Sequence, residues 1–102
     1  MRKIVAGKLY DTETAREVAF DGADCSYGDL GYYEERLYLK KTGEFFMYGE
    51  GGPMTQYCSK CGSNSYGWGE DIKPFSKREA REWVEEHCSV DKYIELFGEV
   101  EE

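Results

Sequence analysis

Residues 34–50 constrain this fold more than any other part of the chain. Two strand-like runs flank Lys41-Thr42-Gly43, which suits a three-residue hairpin loop: a type I turn followed by glycine in the left-handed region. That loop sets the register. Lys40 faces Glu44 as an opposite-charge pair, Leu39 faces Phe45 and Leu37 faces Met47. On the other face Tyr38 meets Phe46 and Arg36 meets Tyr48. Both faces are partly apolar, so the hairpin belongs at the centre of a sheet. One face covers a core. The other is covered by a helix or forms an aromatic contact surface rimmed by charge.

The rest of the chain assembles around this unit. Ile4-Val5 and Leu9-Tyr10 flank Ala6-Gly7 and read as a short hairpin over residues 2–10. Asp11 and Thr12 carry turn and cap chemistry, and residues 16–20 lean to strand. Residues 21–31 read as a loop. Gly49-Glu50-Gly51-Gly52-Pro53 reads as the exit from the hairpin. Residues 54–58 and 66–72 are further candidate strands, with a turn over 62–65. In the last third, Ser76 and Glu79 form a capping box. Ala80, Trp83, Val84, His87 and Cys88 follow at helical spacing as the buried stripe. Ser89 opens a second helix with Val90, Tyr93, Ile94 and Phe97 on its apolar side, and Gly98 stops it. The expected fold is α+β: one domain over residues 1–102, an antiparallel β-sheet of about four to five strands, and two C-terminal helices packed on one face.

Charge narrows the function. Twenty-one Asp and Glu stand against thirteen Lys and Arg, a net charge of -8 on 102 residues, yet 16% of the chain is aromatic and 40% apolar. A folded domain so acidic repels nucleic acid and anionic membrane and is attracted to basic surfaces, of which the strongest are built to hold DNA or RNA. No apolar run approaches a membrane span, and the N-terminal Met1-Arg2-Lys3 leads into no apolar stretch of signal-peptide length. The expected compartment is the cytoplasm, with reduced thiols.

The chemistry-bearing groups do not converge on an enzyme. Cys58 and Cys61 form a CxxC, a knuckle that would be half of a four-ligand zinc site, but a second pair is missing. The remaining candidates, Cys25, His87 and Cys88, include two helix neighbours that diverge by about 100°. The favoured reading is four cytosolic thiols, with Cys88 in the core and His87 closing its helix as a cation near the C-terminus. The glycines of 49–53 lack the setting of a phosphate cradle, and Glu50 would repel phosphate. Glu79, Glu82 and Glu86 line one side of the helix, about 5.4 Å per turn. They form a solvated face or a row standing in for the phosphates of a nucleic-acid strand.

Three stretches carry a resemblance: Lys8-Leu9-Tyr10-Asp11-Thr12-Glu13-Thr14-Ala15, the hairpin from Glu35 to Pro53, and Gly69-Glu70 running through Glu79-Ala80-Arg81-Glu82-Trp83. Together they cover most of the chain. They resemble a family of small acidic proteins carried on phages, plasmids and integrative elements of Gram-positive bacteria, a setting that includes anti-CRISPR proteins against type II systems. The resemblance implies a binding protein, not an enzyme, that inhibits an RNA-guided type II Cas nuclease in the cytoplasm of the bacterial host. Its acidic contacts would be Glu34, Glu35, Glu50, Glu70, Asp71, Glu79, Glu82 and Glu86, with Tyr32, Tyr33 and Tyr48 as aromatic anchors. No cofactor is expected. Two alternatives stay open: a zinc-stabilised interaction module using Cys58 and Cys61, and an inhibitor that trims guide RNA. The oligomeric state, monomer or dimer, is left open as well.

Overall fold

The computed structural model describes residues 1–22, 30–60 and 66–98. Its first element is a hairpin, β1 (Arg2–Val5) and β2 (Lys8–Asp11), closed by Ala6 and Gly7 at φ 51° and 78°. Both turn residues are left-handed, which matches the right-handed twist of the strands. Asp11 then accepts from the Glu13 N–H at 2.9 Å and starts the turn into β3 (Arg16–Gly22).

The long hairpin forms β4 (Tyr33–Leu39) and β5 (Phe45–Gly51) in the expected register, Leu37 opposite Met47 and Tyr38 opposite Phe46. Gly43 takes φ 91°, and the Lys40 N–H donates to the Glu44 carbonyl at 2.8 Å. Two short strands follow, β6 (Ser59–Lys60) and β7 (Tyr66–Gly67), paired with each other. Then β8 (Gly69–Phe75) joins the main sheet, whose antiparallel order is β3-β4-β5-β8. Pro74 lies within β8, where the missing N–H is tolerated because this is an edge strand.

Two expectations change. Residues 54–58 are not a strand: residues 53–57 form consecutive turns. Thr55 hydrogen-bonds the Gly52 carbonyl through both its N–H and its hydroxyl, and its Oγ1 accepts from the Tyr57 N–H. These local bonds outcompete a ladder. Gly49 to Gly51 do not end the hairpin either. They continue β5, paired with β4 on one side and β8 on the other. The expected turn over 62–65 lies outside the described residues, as does most of the 21–31 loop, although Asp21 and Gly22 belong to β3.

Helix α1 (Lys77–His87) starts at the capping box: Glu79 N–H donates to Ser76 Oγ, and Ser76 N–H to Glu79 Oε1. Helix α2 (Val90–Phe97) is capped by Ser89 and closed by Gly98. The α+β architecture read from the sequence is the one observed, with both helices on one face of the sheet. Ala80, Trp83 and Val84 of α1 bury Leu37, Phe45 and Met47, flanked by Tyr93 and Phe97 of α2. The other apolar face is covered by the N-terminal hairpin, not by a helix. Tyr10 meets Phe46 edge-on at 5.6 Å, Phe46 stacks on Tyr38 at 5.1 Å, and Ile72 completes this second core. The molecule is thus three layers deep across the centre of the sheet. No helix among the described residues is long and apolar enough to cross a membrane.

Candidate functional site

Polar chemistry gathers at the end of the sheet beyond the two cores. Glu34 and Glu35 are consecutive in β4, so strand alternation sends them to opposite faces. On the hairpin-side face Glu34 pairs with Glu50, and Glu50 pairs with Glu70. Three carboxylates therefore stand in one line across three strands. Like charges directly opposite repel. Arg36 is the cation beside them, 3.1 Å from Glu34 and 3.1 Å from Glu17. Hydroxyls supply the rest. Tyr32 donates to Glu34, and the Tyr48 hydroxyl lies within hydrogen-bond reach of both Glu50 and Glu70. One hydroxyl has one proton, so it serves only one of them at a time.

These contacts leave a titration signature. Burial, then the bond to Glu70, pushes the Tyr48 phenol far up; the bond to Glu34 pushes Tyr32 up to about 12. Glu50 is raised above the usual 4.5 by burial first and then by its bond to Glu34. An acid whose pKa rises on folding costs stability above its folded pKa, and that cost vanishes as pH falls below 4.5. Glu50→Gln is therefore expected to raise Tm at pH 7, with the gain fading toward pH 4. A melting series across pH checks this, and a constant or negative shift would contradict it. Aromatic surface flanks the row: Tyr32 stacks on Trp68 at 5.8 Å with the rings 17° apart.

The opposite face holds a different constellation. Glu35 is buried, 8% exposed, and accepts from Tyr57 Oη, from Gln56 Nε2 at 3.4 Å and from Trp83 Nε1 at 3.5 Å. Across the ladder it pairs with Asp21 of β3. Asp21 accepts from Tyr33 Oη at 3.3 Å and lies 3.1 Å from His87 Nδ1. Burial, then the bond to Glu35, drives the Tyr57 phenol strongly upward.

Glycines make this face possible. The Tyr57 ring lies against Gly49, Thr55 against Gly51, and the Tyr57 carbonyl against Gly69. A strand glycine marks the close approach of another chain segment, and here the 52–58 segment crosses the sheet to bring Gln56 and Tyr57 to Glu35. The repeated glycines of 49–52 were visible as a sequence signal, though not what they admit.

Of the residues singled out from sequence, Glu34, Glu50, Glu70, Tyr32 and Tyr48 come together. Glu35 and Tyr33 do not join them. Both lie on the helix-side face, and Glu35 is enclosed there because Trp83 and Tyr57 close over it. Asp71 pairs with Lys3 at 2.7 Å. The helical glutamates are largely used internally: Glu79 in the cap, Glu82 against Arg78 at 3.1 Å, and Glu86 at 3.8 Å from His87 Nε2. His87 does more than close its helix, since it reaches β3. Cys58 is half-buried and unbridged; Cys61 and Cys25 lie outside the described residues. Comparison with protein families, with curated proteins and with solved structures finds no match for this chain.

Proposed function

We propose that this protein is a binding protein that presents the Glu34–Glu50–Glu70 row to a basic, nucleic-acid-binding surface. The observation that carries this reading is the register that aligns three glutamates across adjacent strands, with Arg36 the one arginine paired to the row among the described residues. Strands lie about 4.8 Å apart, so the row offers closely spaced acceptors to a set of Lys and Arg side chains. Tyr32 and Trp68 add a flat aromatic flank of the kind that anchors interfaces. The net charge of -8 steers the whole molecule toward such a partner. The family resemblance names the partner class: an RNA-guided type II Cas nuclease, which holds guide and target in positively charged channels. Occupation of such a channel blocks guide loading or DNA engagement.

The test is association with the guide-free nuclease, measured at low and high salt. Glu34→Gln/Glu50→Gln/Glu70→Gln removes charge without removing shape and also relieves repulsion within the row. Its fold is therefore retained while its affinity falls by about tenfold or more, with a weaker salt dependence. A folded triple variant that binds and inhibits like the parent would sink the proposal.

A further inference from the structure

We propose that Asp21, Glu35 and His87 form a binding site for a divalent transition-metal ion on the helix-side face of the sheet. The donors come from three elements, β3, β4 and α1, and their ligand atoms all lie within 4.8 Å of one another. One imidazole nitrogen and two carboxylates make an N/O donor set suited to ions such as Mn2+, Fe2+ or Zn2+.

One separation agrees with a shared ion. Two ligands each about 2.1 Å from one ion stand about 3.0 Å apart at a right angle and about 3.4 Å apart at the tetrahedral angle. His87 Nδ1 and Asp21 Oδ2 are 3.1 Å apart. Two of the donors also accept hydrogen bonds, Asp21 at the same Oδ2 that faces His87. Tyr33 holds Asp21, and Trp83, Gln56 and Tyr57 hold Glu35. His87 directs its far nitrogen, Nε2, toward Glu86 at 3.8 Å.

Charge balance gives an independent reason. Glu35 is buried, and its three hydrogen-bond partners are neutral. A buried carboxylate needs a counter-charge. A ligating imidazole is neutral, so a divalent ion would supply the two positive charges that balance the two carboxylates. Entry is open to two of the donors: a cleft of roughly 560 Å³ is lined by Glu35 and His87 together with Gln56, Met54 and Trp83. This site lies on the face opposite the glutamate row, so it stands or falls separately from the proposed partner surface.

Mn2+ is the probe, because hard ions discriminate against the four thiols of the chain. The full-length protein is titrated with Mn2+, and the free ion is counted from its electron paramagnetic resonance lines. One equivalent is expected to bind. His87→Gln, Asp21→Asn and Glu35→Gln are each expected to weaken it about tenfold to a hundredfold, while Cys58→Ser leaves it unchanged. Circular dichroism confirms the fold of each variant. If Glu35→Gln unfolds, the half-exposed His87→Gln decides. No saturable binding up to millimolar Mn2+ overturns the proposal. So does binding that survives His87→Gln but is lost in Glu34→Gln/Glu50→Gln, which would move the ion to the other face.

Discussion

Phe46→Ala is expected to destabilise the fold by about 3–5 kcal/mol, read from urea or thermal unfolding. Phe46 is fully buried and joins the sheet to its N-terminal cover, touching Tyr10 edge-on and Tyr38 face-on. Its loss opens a cavity that both aromatic partners line and leaves the cover held by Ile72 and by ion pairs such as Lys3–Asp71. Small domains hold only about 5–15 kcal/mol in total, so Tm should fall by about 10 °C or more. Phe20 of β3, on the same face of the sheet but 48% exposed, provides the contrast, and its truncation should cost far less. Hydrogen exchange should show β1 and β2 opening first in Phe46→Ala. A loss below about 1 kcal/mol would mean that the hairpin does not pack on the sheet as described.

The second large effect is expected at Gly69. A Cβ there would stand 2.0 Å from the Tyr57 carbonyl oxygen and 3.2 Å from Ser59 N. Backbone cannot swing aside as a side chain can, so Gly69→Ala must lift the 52–58 segment off β8. Overpacking of this kind costs about 1–3 kcal/mol, and it also takes the Tyr57 hydroxyl away from Glu35. Gly49→Ala meets the tip of the Tyr57 ring, also at 2.0 Å, and is relieved if the ring rotates out. It should therefore be milder in stability while still loosening Glu35. Gly31→Ala meets nothing within 4 Å and should be neutral. Denaturant midpoints of the three variants, with Trp83 fluorescence reporting the surroundings of Glu35, test the order Gly69, Gly49, Gly31. Equal midpoints would show that the crossing segment is not packed against these glycines.

Local rules explain which parts of this structure were readable. The 41–43 loop has one low-energy turn for its glycine, and that turn commits every cross-strand pair from Leu39–Phe45 to Glu34–Glu50. The capping box and the spacing of Ala80, Trp83 and Val84 likewise act within a few residues. By contrast, residues 54–58 misled because Thr55 satisfies neighbouring backbone groups itself, a choice that strand propensity does not register. The 49–51 glycines misled for the opposite reason, since a distant segment requires them.

From the chain alone come the acidic balance, the two-faced hairpin, the capped helices and the α+β layering, all set by turn chemistry and periodicity at short range. Glu34 and Glu35 differ by one position, yet one joins a row that reaches the surface at Glu70 and the other is enclosed beside Asp21 and His87. Strand alternation puts them on opposite faces, but what each one meets there needs the addition of β8 on one side, the covering of one face by residues 1–11 and the docking of α1 on the other. Those contacts join residues far apart in sequence, where chain connectivity sets no distance and only packing does.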